Sequence, residues 1–227
     1  MSTNDSEEAE SQPGVPLDVD AVAFDLLTAL VDSWTLWENV AGNAALGQRW
    51  RQASLRLVTA AGSYVPYEEM VRAAALEVGV PVQQADVLLA RWPEIQPWPE
   101  TPGILAQLAQ TPRLRLAIVT NCSQRLAEIA AAATGGQFEL VMSAERAGVY
   151  KTDPRAYQEA LAALGLAPER VLFVAGSAHD VPGAGRVGMP VYWSNRQGLP
   201  VPNGAPAPVI NAPDLSLLPG LLGRAPS

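Results

Sequence analysis

The sequence predicts an α/β fold: a doubly wound parallel sheet with an inserted, all-helical segment. Two observations lead to this prediction. From residue 99 onward, short apolar runs alternate with runs of helical periodicity. Such alternation is typical of a parallel sheet whose strands are buried between helices on both faces. Residues 33–98 also have helical periodicity, but they contain no apolar run typical of a buried strand.

Each element follows from a local pattern. The apolar run Ala21–Asp25 predicts a first buried strand that presents an acid at its carboxyl end. Residues 33–98 predict three or four helices, broken near Gly62–Ser63 and again at Gly79–Pro81. The alternating part predicts helix Thr101–Gln110, strand Leu114–Thr120, helix Gln124–Ala133, strand Phe138–Met142, helix Pro154–Leu164, strand Val171–Ala175, helix Val181–Val187 and strand Pro190–Trp193.

These patterns divide the chain into three parts. Residues 1–19 are rich in Ser, Glu, Asn, Pro and Gly, and predict a disordered acidic tail. A core domain is made of residues 20–32 and 99–227, and a helical domain of residues 33–98 is inserted between these two parts of the chain. The formal net charge of −8 falls largely on the tail, so residues 21–227 carry only −2.

Composition excludes several classes of protein. The acidic balance argues against nucleic acid as a partner, because phosphate binding needs clustered Lys and Arg. Cys122 is the one cysteine and His179 the one histidine, which excludes an internal disulfide framework and two-histidine zinc motifs. The sequence contains no run of 18 apolar residues, which a membrane span would need, and no signal peptide is visible. We therefore expect a cytoplasmic protein that binds neither membrane nor nucleic acid.

Polar side chains follow the predicted strands at the edge where ligands bind in open α/β sheets. Asp25 ends the first strand, Thr120 and Asn121 end the second, and Ser177 and Asp180 follow a later one. Lys151 lies in a loop directly before a predicted helix. A carboxylate nucleophile needs this set: a cation, donors for a developing anion, and an acid that positions water.

Four segments resemble motifs of the haloacid dehalogenase superfamily, over roughly residues 20–195. The resemblance implies a helical cap over the core, with Asp25 as nucleophile and Lys151 and Asp180 as its catalytic partners. The matching segments are Phe24-Asp25-Leu-Leu-Thr-Ala-Leu30, Ile118-Val-Thr-Asn121, Tyr150-Lys-Thr-Asp-Pro154 and Phe173-Val-Ala-Gly-Ser-Ala-His-Asp180.

Two positions indicate the branch of this superfamily. Its phosphatases carry a general acid two residues after the nucleophile, where this chain has Leu27, and a Mg²⁺-binding acid where it has Gly176. The chain therefore resembles the type II (S)-2-haloacid dehalogenases more closely. This implies a small carboxylate substrate and no cofactor, with Mg²⁺ required only under the alternative of a phosphatase.

The same resemblance assigns substrate-side residues. Arg51, in Trp50-Arg51-Gln52, and Asn121 match the halide contacts, and Leu55 lies one helical turn after Arg51. Thr120 and the backbone amides after the nucleophile are expected to hold the substrate carboxylate. Further positions expected to line the site are Tyr67, Leu27 and Ser177, and Tyr157, six residues after Lys151, also matches the subfamily pattern.

The chain departs from the subfamily pattern at several positions. The subfamily has Thr four residues after the nucleophile, whereas here Ala29 stands there and Thr28 comes one residue earlier. Ala175 and Ser177 replace a polar pair near the nucleophile, and His179 replaces a bulky aromatic. These changes leave open a hydrolase that acts on another activated carbon or on a ring substrate.

Structural roles for the same residues also stay open. Asp180 can be a helix cap, Thr120 and Asn121 can cap the helix that follows, and Arg51 can be an exposed residue like Arg49 and Arg56. The tryptophans are expected to pack within the helical segment.

The segment Gly183-Ala-Gly-Arg-Val-Gly188 has the glycine spacing of a dinucleotide-binding motif but does not follow its strand directly. We expect these glycines to allow close packing and to end the helix. A non-catalytic binding module remains an alternative, and a homodimer is compatible with the sequence.

Overall fold

The computed structural model describes residues 17–222, and the helices and strands that the sequence predicts follow in the predicted order. The predicted tail falls mostly outside these residues. The strands are β1 (Ala21–Phe24), β2 (Val31–Asp32), β3 (Gln96–Pro97), β4 (Arg115–Thr120), β5 (Leu140–Ser143), β6 (Val171–Ala175), β7 (Val191–Ser194) and β8 (Ile210–Ala212). The α-helices are α1 (Ser33–Ala41), α2 (Ala44–Ala60), α3 (Tyr67–Glu77), α4 (Val82–Ala90), α5 (Thr101–Leu108), α6 (Gln124–Ala133), α7 (Ala144–Ala147), α8 (Pro154–Leu164), α9 (Asp180–Val187) and α10 (Leu218–Leu221). The elements α7, β8 and α10 are additional to those that the sequence predicts.

Six strands form one parallel sheet in the order β5-β4-β1-β6-β7-β8. Numbered along the chain, this order is 3-2-1-4-5-6, that of doubly wound sheets. The order reverses between β1 and β6, and ligands bind at such a switch point, outside the carboxyl ends of the strands. The predicted α/β fold is confirmed, and the residues after β1 and β6 lie at the edge where a site is expected.

The inserted segment consists of four helices, α1 to α4, as the periodicity predicts. Two of the three breaks fall between α2 and α3 and between α3 and α4, close to the predicted positions, and the third, between α1 and α2 at Gly42, is not predicted. The ends of the segment differ from the prediction: β2 and β3 pair as a small antiparallel sheet, in which Val31 lies opposite Pro97. This two-stranded sheet joins the beginning and end of the insertion, so that α1 to α4 form one helical layer.

Two tryptophan side chains tie the helical layer together and to the core domain. The indole N–H of Trp50 on α2 donates to the carbonyl of Val71 on α3 at 2.9 Å. The N–H of Trp92 donates to the carbonyl of Leu126 on α6 at 3.0 Å. The first of these buried hydrogen bonds fixes α2 against α3, and the second fixes the end of the helical segment against α6 of the core domain. No helix in residues 17–222 combines the length and apolar character needed to cross a membrane.

The glycines of the Gly183–Gly188 segment have the packing roles that the sequence suggests. A Cβ on Gly183 would come within 2.4 Å of the Tyr157 hydroxyl, so α9 can approach α8 only without a side chain here. Gly188 ends α9 with a φ of +96°, a conformation that favours glycine. The segment is therefore a packing element of helix α9.

Candidate active site

The carboxylate of Asp25 is held by the turn that follows β1. Residues Leu26–Leu30 form a single π-helical turn with Asp25 as its N-terminal cap. The Oδ2 atom of Asp25 accepts hydrogen bonds from the backbone N–H groups of Thr28, at 2.9 Å, and Ala29, at 3.2 Å, and from the Thr28 hydroxyl. The Oδ1 atom accepts only from the ammonium of Lys151 at 2.9 Å, among the residues that the structure describes. The two oxygens therefore differ: Oδ2 is fixed by three donors and Oδ1 by one.

Lys151 joins the two predicted catalytic carboxylates. Its Nζ lies 2.9 Å from Asp25 Oδ1 and 2.9 Å from Asp180 Oδ2, and all three side chains are buried. The Tyr157 hydroxyl donates to the other oxygen of Asp180 at 2.7 Å. Asp180 is the first residue of α9, and its side chain is engaged by Lys151 and Tyr157 instead of capping the helix. The structure thus brings together the three residues predicted to be catalytic.

The charges of this cluster shift its proton equilibria in opposite directions. Burial raises the pKa of Asp25, but the charge of Lys151 and the hydrogen bonds from Thr28 outweigh it, and the pKa lies below its ordinary value. Burial raises the pKa of Asp180 above its ordinary value, aided by the charge of Asp25 and opposed by Lys151. Asp25 is therefore the stronger acid and stays ionised, while Asp180 is the better proton acceptor.

The absence of a side chain at Gly176 makes room for Thr28. A Cβ at this position would lie 2.3 Å from the backbone nitrogen of Ala29 and 2.4 Å from the Thr28 hydroxyl oxygen. The π turn after Asp25 therefore packs directly against the end of β6. The absence of a side chain at 176 lets a Thr three residues after the nucleophile reach its carboxylate.

The same geometry does not fit a Mg²⁺ site. A hard divalent cation needs several oxygen ligands, but the facing oxygens of Asp25 and Asp180 both bind the Lys151 ammonium. A carboxylate at 176 would overlap the turn that holds Asp25. In residues 17–222 no group of three or more His, Cys, Asp and Glu side chains could hold a metal ion. The donor set at the end of β1 and β6 therefore suits an ammonium and not a divalent cation.

A cavity of about 360 Å³ lies between the cluster and the helical layer. Arg51 and Leu55 on α2 both line it, so the predicted face of α2 does turn toward Asp25. The Arg51 guanidinium lies 5.6 Å from the centre of the Trp34 ring and has no hydrogen bond or ion pair within residues 17–222. Arg49 and Arg56 are exposed, and Arg56 pairs with Glu77 instead. Arg51 is thus a cation without a direct ion pair among the described residues, in the wall opposite the nucleophile.

Four of the remaining predicted site residues line the cavity. Asn121 lines the cavity, and its side chain exchanges two hydrogen bonds with the backbone of Lys151, at 2.7 and 2.8 Å, which fixes the loop that carries the lysine. Tyr67, Leu27 and Ser177 also line the cavity.

Thr120 differs from the expectation. It is buried in β4, it does not line the cavity, and its hydroxyl lies 3.8 Å from Cys122 Sγ. The physical reason is that β4 continues through Thr120, so that the chain reaches the cavity one residue later. The structure therefore does not bring Thr120 to the cavity where a substrate carboxylate was expected to meet it.

Several cavity residues are not predicted by the sequence patterns. Trp34 and Trp37 on α1 and Trp193 on β7 line the cavity, although the sequence indicates only packing within the helical segment for the tryptophans. Asn195 and Arg196, in the loop after β7, also line it. Extending the pattern of polar residues at strand ends to β7 would have indicated this loop.

The fold and this cluster define a class of hydrolase with an aspartate at the end of the first strand of a doubly wound sheet and a lysine between two carboxylates. A family model described as haloacid dehalogenase-like hydrolase matches residues 19–188. The chain belongs to this family.

Individual relatives carry two kinds of activity in their names. Haloacetate dehalogenase H-2 from Moraxella is 30% identical over 80% of this chain and 88% of its own length. A phosphoserine phosphatase from Thermus thermophilus is 32% identical over 70% of this chain and 68% of its own length. Among solved structures, an L-2-haloacid dehalogenase from Xanthobacter autotrophicus with covalently bound chloropropionic acid superposes with a TM-score of 0.78, at 26% identity, covering 90% of this chain and 98% of that one.

The contact between Gly176 and the π turn predicts that Gly176→Ala destabilises the protein by about 1–3 kcal/mol, the usual cost of overpacking. Gly103→Ala is the matched control, because a Cβ at this position in α5 meets nothing within 4 Å. It should leave the free energy of unfolding unchanged or raise it by up to about 1 kcal/mol. Urea unfolding of both variants checks this, and an unchanged midpoint for Gly176→Ala would contradict the close contact.

Proposed function

We propose that this protein is a hydrolase that cleaves the carbon–halogen bond of small 2-haloalkanoic acids through an ester on Asp25. The single observation on which this rests is the buried Lys151 ammonium between the Asp25 and Asp180 carboxylates, which face an unpaired Arg51 across the cavity within the described residues. The cluster keeps one carboxylate ionised for attack, and Arg51 supplies a cation for a departing anion. The named activities of the dehalogenase relatives support this chemistry.

In the first step, Asp25 attacks the carbon that bears the halogen. Oδ1 is the attacking atom, because it accepts one hydrogen bond while Oδ2 is held by three donors. A bond forms between Oδ1 and C2, the carbon–halogen bond breaks, and the halide leaves with the bonding electrons. Arg51 stabilises the charge that develops on the halide, and so does the remaining N–H of the Asn121 amide. A halide needs no proton, which agrees with Leu27 at the position of the phosphatase acid.

In the second step, water attacks the carbonyl carbon of the ester. Asp180 accepts the proton of this water, a role that suits a buried carboxylate with a raised pKa. The bond between the Asp25 carbonyl carbon and Oδ1 breaks, and the departing oxygen takes the proton back from Asp180. The 2-hydroxy acid therefore leaves with the oxygen that attacked, and the restored Asp25 carboxyl group gives its remaining proton to water. Lys151 remains paired with Asp180 while Asp25 is esterified, and it binds Asp25 again once the carboxylate is restored.

The substrate carboxylate is placed by the turn after the nucleophile. The first N–H groups of a helical turn have no partner within it, and Leu27 lines the cavity. We propose that the backbone N–H groups of Leu26 and Leu27 bind this carboxylate, and that Tyr67, Trp34 and Trp37 shield it from water. Helices α1 to α4 act as the cap domain in this proposal.

We also propose that the protein is located in the cytoplasm.

Two substitutions separate the proposed steps. With (S)-2-chloropropionate, Asp25→Asn should release no chloride, because its amide cannot displace a halide. Asp180→Asn should release about one chloride per protein and then stop, with the intact mass of the protein raised by the attached propionate. Mass spectrometry and chloride titration check this. Repeated turnover by Asp180→Asn would exclude it as the base, and chloride release by Asp25→Asn without deamidation would exclude the nucleophile.

The halide role of Arg51 predicts that Arg51→Ala lowers kcat by about 10²–10³-fold, the effect of losing one donor to a developing charge. Its charge acts mainly at the transition state, so kcat should fall more than KM rises. Arg49→Ala and Arg56→Ala are matched controls on the same helix, and both should retain kcat within about twofold of the wild type, because exposed charges contribute little. Equal losses in the three variants would contradict a specific role for Arg51.

A further inference from the structure

Two residues that line the cavity away from the catalytic cluster each carry a buried hydrogen-bond donor without a partner in residues 17–222. Four buried side-chain polar atoms in residues 17–222 lack a hydrogen-bond partner, and two of them belong to cavity-lining residues. They are Trp193 Nε1 and Arg196 Nε, and both carry an N–H group. A buried donor without a partner costs about 1–3 kcal/mol, so it marks a place where a ligand atom would be stabilising.

The loop that carries Arg196 is ordered by its own hydrogen bonds. The side chain of Asn195 exchanges two hydrogen bonds with the backbone of Leu199, at 2.8 and 2.9 Å, and the backbone carbonyl of Asn195 accepts from the N–H of Gly198 at 3.0 Å. The Arg196 guanidinium pairs with Glu100 and lies 4.3 Å from the centre of the Trp98 ring. The positive charge of Arg196 is thus compensated, while its Nε–H stays unpaired within the described part of the chain. The loop offers a donor in a fixed position with little net charge.

The position of Trp193 indicates how long a ligand must be to reach it. Ala175 lies opposite Trp193 in the sheet, and β6 separates β7 from β1. Neighbouring strands are about 4.8 Å apart, so the backbone of Trp193 lies about 10 Å from that of Asp25. A halogenated acid of two or three carbons that reacts at Asp25 leaves part of the 360 Å³ cavity empty on this side. A longer chain with an acceptor at its far end would fill it.

We propose that the part of the cavity beside Trp193 and Arg196 binds a second carbonyl-oxygen group, a carboxylate or a carboxamide, at the far end of the substrate chain. This inference rests on the proposed dehalogenase function and names the substrate class within it: 2-halo acids of about four carbons with an acceptor on the terminal carbon. The Nε1–H of Trp193 and the Nε–H of Arg196 donate to that group. Because the charge of Arg196 is compensated by Glu100, a carboxamide is accepted as well as a carboxylate.

Chloride release from substrates of equal chain length tests this subsite. The probes are (S)-2-chlorobutyrate, (S)-2-chlorosuccinate and the 4-carboxamide of the latter, with (S)-2-chloropropionate as reference. The wild-type protein should have a kcat/KM about 3–10-fold higher for either acceptor-bearing substrate than for 2-chlorobutyrate, the worth of one hydrogen bond. If only 2-chlorosuccinate, and not its 4-carboxamide, reacts faster than 2-chlorobutyrate, the subsite recognises the negative charge and not a carbonyl-oxygen acceptor. That result would overturn the inference as stated.

The outcomes separate the two proposals. If none of the four acids releases chloride, the proposed function fails. If 2-chloropropionate and 2-chlorobutyrate are turned over but the acceptor gives no advantage, only the subsite is wrong.

Trp193→Phe tests the donor, because it removes the N–H and keeps an aromatic ring. The ratio of kcat/KM between 2-chlorosuccinate and 2-chlorobutyrate should fall toward one. Tyr192→Phe is the matched control: the neighbouring residue also loses one donor, but its hydroxyl binds the carbonyl of Asp214 and does not line the cavity. It should retain the wild-type ratio. Equal ratios in both variants would contradict the role of Trp193, and the wild-type comparison decides the question if Trp193→Phe does not fold.

Discussion

The ammonium of Lys151, shared between two buried carboxylates, is the interaction on which the rest of the site depends. Burying three charges is costly unless each is paired and hydrogen-bonded. Here each charged group has more than one partner: Thr28 and the turn after β1 hold Asp25, Tyr157 holds Asp180, and Asn121 fixes the backbone of Lys151. The cluster joins β1, the loop before α8 and the start of α9. The same contacts that stabilise the charges therefore set the distances that the chemistry needs.

Gly176 and Thr28 together indicate chemistry at carbon. The missing side chain at 176 lets the Thr28 hydroxyl bind Asp25, so the space where a metal-binding acid would stand is filled by the turn itself. Lys151 binds one oxygen of each carboxylate, at 2.9 Å in both cases. A relative named as a phosphatase shares similar sequence identity with this chain, so these local contacts, and not overall similarity, separate the two reactions.

Much of this arrangement is predictable from the sequence, because strand order brings polar strand ends to one edge. Asp25 and Asp180 are found in that way, whereas Lys151, in a loop before a helix, and Arg51, on a helix of the insertion, are assigned by the resemblance to the superfamily's motifs. The contact of Thr28 with Asp25 is not predictable, because it requires a π-helical turn and the close approach of Gly176, neither of which has a periodic signal. Trp193 likewise enters the cavity only through the pairing of β7 with β6, a long-range register that local patterns do not contain.

The most direct test of the aspartyl-ester mechanism is a single turnover in water labelled with ¹⁸O, with the protein in excess over (S)-2-chloropropionate. In this mechanism the hydroxyl oxygen of the product comes from Asp25, and the oxygen of water enters the carboxylate group of Asp25. The lactate from the first turnover should therefore carry ¹⁶O in its hydroxyl group, and the peptide that contains Asp25 should gain ¹⁸O. Lactate that carries ¹⁸O from the first turnover, with an unlabelled Asp25 peptide, would show that water attacks the substrate directly and would contradict the aspartyl-ester mechanism.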